Sequence, residues 1–147
     1  MFRGELKELR LMSCLELYER DITPKLKAID LLLKCSEGEI SEKDTAEILQ
    51  IPAEDVQEIK EKLNIQAIDK KNFAEIMAHG TSPICQLLRR ELNRSSPYIY
   101  SVEDLSYIYG IKPEIITTVC DVLDISQITT VAITKIFANI YIGRVRI

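Results

Sequence analysis

Glycine and proline are scarce, five of each in 147 residues. That scarcity argues against a turn-rich sheet protein, and the Leu, Ile, Glu and Lys spread along the chain favour helices. No apolar run is long enough to span a bilayer. Residues 2–20 interleave charged and apolar side chains, without the apolar centre and small-residue cleavage site of a secretory signal, so a cytoplasmic protein with no membrane contact is expected. There is a single histidine, and the four cysteines at 14, 35, 85 and 120 fit neither a zinc-ligand spacing nor a redox pair. No metal and no cofactor are expected, and the four thiols read as buried and reduced. A Gly-rich phosphate loop is also missing.

What the chain does have is apolar content, 46% hydrophobic, enough to bury one compact domain or two small ones. The net charge of −4 is unevenly spread. Residues 1–66 hold 10 Lys and Arg against 15 Asp and Glu, whereas residues 67–147 hold 9 against 8. The first half should repel a phosphate backbone, and the second is close to neutral.

An internal repeat organises the sequence. Shifted by 60 residues, 40–65 aligns with 100–125 without a gap, and seven of 26 positions are identical: Ser41/Ser101, Asp44/Asp104, Ile48/Ile108, Ile51/Ile111, Glu54/Glu114, Leu63/Leu123 and Ile65/Ile125. Average residue usage would give roughly two. In each copy a serine stands where it can cap a short helix, with an Asp three residues on. That helix ends at Gln50 or Gly110, where a tight turn needs left-handed backbone. Ile51 or Ile111 follows as a buried plug. A second helix then presents one apolar face, Val56, Ile59 and Leu63 or Ile116, Val119 and Leu123.

Helices this short need a third to hold them. The candidates precede each copy, at residues 24–35 and 83–94, introduced by Thr23-Pro24 and Ser82-Pro83. Downstream, Phe73-Ala-Glu-Ile-Met pairs with Phe137-Ala-Asn-Ile-Tyr. An additional N-terminal helix over residues 5–19, with Leu11, Leu15 and Tyr18 in register, completes a nine-helix reading. The expected fold is all-α: a tandem pair of tri-helical units (24–65 and 83–125), with the domains divided as 1–66 and 67–147 or packed as one body.

In this form the chain resembles the helix-turn-helix superfamily in general, and no narrower family. The resemblance rests on Ala46, Leu49, Gln50, Ile51, Val56 and Ile59, and on Leu105, Tyr109, Gly110, Ile111, Ile116 and Val119. It covers about a third of the chain and specifies a fold better than a function. Many proteins of that kind lay the second helix in the DNA major groove. Here the first copy would present Glu54, Asp55, Gln57, Glu58 and Glu61, the wrong sign for phosphate. The second presents Lys112, Glu114, Thr117, Thr118 and Asp121, which is near neutral and has no Arg for bidentate guanine contact.

Two other segments carry candidate contacts. Arg89, Arg90 and Arg94, followed by Tyr98, Tyr100, Tyr107 and Tyr109, read either as core and surface filling, with the arginines paired to Glu91, Glu103 or Asp104, or as a protein interface, or as a nucleic-acid grip. Residues 128–142 are apolar around the whole helical wheel, so Ile133, Ile136, Phe137 and Ile140 belong either to a central helix or to an oligomer contact. Residues 141–147 alternate Val145 and Ile147 with Arg144 and Arg146, which also allows a short strand; helix is favoured for the stretch as a whole. His79 and Cys85 lie six residues apart without a third catalytic group, and the histidine reads as a cap on helix carbonyls.

The expectation is therefore a non-enzymatic regulatory or interaction module that contacts another protein or a second copy. The alternative is a DNA-binding regulator reading through the second copy, with Arg89, Arg90, Arg94, Lys112, Thr117 and Thr118 in contact. An enzyme comes third.

Overall fold

Ser41 and Ser101 begin two helices in the same way. The Ser41 hydroxyl accepts from the Asp44 backbone N–H at 3.0 Å and the Ser101 hydroxyl from that of Asp104 at 2.9 Å. The Asp104 carboxylate closes a capping box by accepting from the Ser101 N–H. A computed structural model of the chain describes residues 9–94 and 96–146, with side chains for 12–94 and 96–141. In chain order the elements are β1 (Leu9–Ser13), α1 (Cys14–Asp21), α2 (Thr23–Cys35), α3 (Glu42–Leu49), α4 (Ala53–Leu63), α5 (Phe73–His79), α6 (Pro83–Leu92), α7 (Val102–Tyr109), α8 (Pro113–Leu123), α9 (Thr130–Ala138) and β2 (Tyr141–Arg146). The protein is all-α, with one antiparallel ribbon of β1 against β2.

The repeat is longer in three dimensions than in residue identities. Gln50 and Gly110 both take left-handed backbone, at φ 58° and 71°, and so do Asn64 and Asp124, at 58° and 55°. The Ile65 N–H then donates to Lys60 O at 2.8 Å and the Ile125 N–H to Cys120 O at 2.9 Å, the same reversal at the same place. Each copy is next clasped at its base by an isolated bridge, Ile40 to Ile68 and Tyr100 to Ile128. The offset of 60 continues into α5 and α9, where Ile76 matches Ile136 and Met77 matches Phe137, all buried. This corrects the expected pairing of Phe73 with Phe137, whose segments agree at three of five positions but are not in register.

The chain forms two units, Ile22–Asn93 and a split one made of Met1–Asp21 with Arg94–Ile147. The division differs from the one expected at 66/67, because the helix before each copy does not serve both copies alike. In the continuous unit α2 packs on α3 and α6 packs on α5. Ser82, at the start of α6, donates from its hydroxyl to Leu49 O at 2.6 Å, satisfying a terminal carbonyl of α3. In the split unit the supporting helix is α1, which packs on α9. The expected third helix at 83–94 thus belongs with the first copy.

The expected N-terminal helix over 5–19 is corrected in the same region. Residues 5–8 lie outside the described residues, and Leu9–Ser13 is a strand paired with β2 in the register Leu9 to Arg146 and Met12 to Gly143. Helix begins only at Cys14, where the Ser13 hydroxyl accepts from the Glu16 N–H at 3.1 Å. Residues 128–142, read mainly as helix, divide into α9 and the first residues of β2. Leu11 and Val145 lie in these strands, and Ile147 lies outside the described residues.

The core of the split unit is built from Cys14, Leu105, Ile111, Ile116, Ile136 and Phe137, with Leu15, Tyr18 and Tyr109 packed against it. Tyr18 of α1, Tyr109 of α7 and Phe137 of α9 form a closed aromatic triad with centroid separations of 6.1, 5.8 and 5.0 Å. The continuous unit is closed more tightly at one point. A Cβ at Gly80 would overlap the Cys85 Sγ, although the glycine's backbone is of an ordinary kind. Gly80→Ala is expected to cost about 1–3 kcal/mol by overpacking. Adding Cys85→Ala, which removes that sulfur, should recover part of the loss in a urea titration.

Candidate functional site

The two helix pairs have the same backbone plan and different outer faces. On α4 the outer face includes Glu54, Asp55, Gln57, Glu58, Glu61 and Lys62, with more acidic than basic side chains, while the half-buried Lys60 is paired with Glu42 at 2.7 Å. Their counterparts on α8 are Glu114, Ile115, Thr117, Thr118, Asp121 and Val122. Ile115 is 41% exposed and Val122 is 79% exposed, and with Thr118 they form one stripe at helical spacing. Thr118 turns its hydroxyl back to Glu114 O at 2.8 Å, so the stripe shows its methyl group along with two apolar side chains. Lys112, which precedes α8, and Thr117 are exposed.

Sequence reading identified Lys112, Thr117 and Thr118 on this face and missed Ile115 and Val122. The signal was in the repeat: at the 60-residue offset they stand opposite Asp55 and Lys62, positions that could only face water.

The three arginines are divided between the two units. Arg89 and Arg90 lie in the continuous unit and Arg94 in the split one. Arg89 donates to Ala78 O at 2.6 Å and Gly80 O at 3.3 Å, tying the end of α5 to α6. Arg94 donates to Ser96 O at 2.8 Å, to Pro97 O at 2.7 Å and to the Tyr100 hydroxyl. Both guanidinium groups therefore spend donors on backbone carbonyls. Arg90 is half-buried. The loop that Arg94 braces exposes Tyr98 and Ile99.

The expected oligomer contact is corrected by burial. Ile136, Phe137 and Ile140 are buried in the core of the split unit, and Ile133 is packed against it. The helix packs on α1 and α8 through these residues and turns Val131, Thr134 and Lys135 to solvent.

The thiols are distributed differently from the expectation of four buried ones. Cys14, Cys85 and Cys120 are buried and Cys35 is exposed. Burial pushes the Cys14 thiol up to about 11 and raises Cys85 and Cys120 as well, so these three stay protonated at neutral pH. The Cys85 Sγ points to Leu49 O at 3.8 Å, while the His79 Nδ1 donates to Glu75 O at 2.9 Å. Each is bound to a helix carbonyl and not to the other. Among the described residues no group of three His, Cys, Asp or Glu could hold a metal ion, and no helix is long and apolar enough to cross a membrane.

With the observed division the charge balance also shifts. The split unit, which contains the second copy, holds nine Lys and Arg against ten Asp and Glu, a balance of −1. No family model, curated protein or solved structure matches the chain.

Proposed function

We propose that this chain is a non-enzymatic interaction module of two helix-turn-helix units, one of which contacts another protein through the outer face of α8. The observation that carries this reading is the stripe of Ile115, Thr118 and Val122 on a helix whose repeat counterpart carries Asp55, Glu58 and Lys62. Two repeats under the same packing constraints differ where packing imposes nothing. An exposed apolar stripe on a second helix suits a protein surface better than a phosphate backbone. A regulatory role and a cytoplasmic location fit this reading.

The DNA-binding alternative keeps Lys112, Thr117 and Thr118 and has less to work with. Arg89 and Arg94 are engaged with carbonyls of their own chain, and the split unit has no net positive charge to attract DNA.

Binding to random duplex DNA at low and then moderate salt tests the pair of readings. No binding at low salt is expected. Binding that falls at least about tenfold as salt rises, and that is lost in Lys112→Ala, would establish the DNA reading instead. A photo-crosslinking side chain at position 122, compared with one at position 62, should capture a protein partner only from 122. Ile115→Asp with Val122→Asp should abolish that capture while stability changes by no more than about 0.5 kcal/mol per site.

A further inference from the structure

Helix α2 is poorly used by its own unit. Of its 13 residues only Ile29 is fully buried, although Leu31, Leu32 and Leu33 follow in sequence. Leu31 is 63% exposed, and Lys27 shares its face one turn away. Beside that face an open groove of about 530 Å³, several times the size of a leucine side chain, runs between α2 and α3. Its apolar lining comes from Ala28, Leu32 and Ile48; α3 contributes Asp44 and Glu47 and α2 contributes Lys25, which leaves the groove with a net negative charge. Lys34, also on α2, is held by Asp30 at 2.8 Å. Among the described residues neither Lys27 nor Glu47 takes part in an ion pair.

A protruding leucine beside a lysine, and a recess built on an alanine beside carboxylates, thus lie on the same pair of helices. That is the requirement of an isologous contact, in which the same patch supplies both halves. We propose that the chain self-associates as a two-fold dimer, with α2 of each protomer lying in the α2–α3 groove of the other. Leu31 enters the apolar lining at Ala28, and Lys27 meets Asp44 and Glu47. The charges select a second copy over an unrelated apolar helix, because the cation needed at these carboxylates is one turn from the leucine that fills the apolar lining. This surface belongs to the continuous unit and is independent of the α8 reading.

Sedimentation of the full chain over a range of concentrations tests the proposal. The wild type is expected to dimerise reversibly. Leu31→Glu, at a position mostly in water in the protomer, should leave the helix signal and melting temperature unchanged and raise the dissociation constant by roughly a hundredfold, since it drives a carboxylate into an apolar recess between acids. Lys27→Glu and Glu47→Lys should each weaken the dimer by roughly tenfold, and the two combined should restore it, because the pair is opposite in sign again. A wild-type chain that stays monomeric up to millimolar concentration would overturn the proposal. So would a dimer indifferent to Leu31→Glu, or a double swap no tighter than the single ones.

Discussion

Deletion of residues 1–21 is expected to unfold residues 94–147 and to leave 22–93 folded. The split unit takes its supporting helix from the N-terminal segment, so its core is complete only when two distant parts of the chain meet. Cys14 is buried there, Leu15 and Tyr18 are packed against it, and the Cys14 N–H donates to Ile140 O at 2.6 Å. Burying a large apolar side chain is worth about 1.5–3 kcal/mol, so losing this helix removes roughly 5 kcal/mol, comparable to the whole stability of a small domain. It also exposes Phe137 and Ile136 to water. The continuous unit has a core of its own, including Leu49, Val56, Ile68, Phe73 and Ile76. Far-UV circular dichroism of 22–147 should show the loss of the helix contributed by α7, α8 and α9. The fragment 22–93 should melt cooperatively by itself, and a peptide of residues 1–21 added to 94–147 should restore helix. An intact helix signal in 22–147, melting in one transition like the full chain, would sink the idea.

The same division explains which features could be read from sequence. Ser41, Gln50, Ile51 and their counterparts act within a few residues of chain, so caps, turn and plug were legible locally. The supporting role of α1 was not, because nothing in residues 14–21 says which copy they pack on. Nor was β1, whose Leu9–Ser13 segment fits a helical wheel and becomes a strand only through β2 at the other end of the chain. The candidate site was half legible. Thr117 and Thr118 stood out as polar residues on a presumed outer face, whereas Ile115 and Val122 were read past because apolar residues are normally assigned to the core. The carbonyl partners of Arg89 and Arg94 were not legible either, because sequence shows charge and not the backbone atoms it meets.

Phe137→Ala is the second change with a large expected effect. Truncating a buried phenylalanine costs about 3–5 kcal/mol, the transfer of the ring plus the cavity it leaves. Here the side chain is 1% exposed and in ring contact with Tyr18 and Tyr109, so the cavity lies where α1, α7 and α9 meet and cannot be filled from solvent. The expected result is a split unit that is mostly unfolded at 37 °C, seen as loss of hydrogen-exchange protection in α7, α8 and α9 while α3, α4 and α5 stay protected. Val131→Ala, on the same helix but 72% exposed, should change stability by no more than about 0.5 kcal/mol. The comparison separates core from contact. Had Phe137 with Ile136 and Ile140 formed an oligomer interface, its truncation would change the sedimentation of a folded chain and leave the exchange pattern alone. Because these side chains hold the split unit together, protection should vanish while self-association through α2, in the other unit, continues undisturbed.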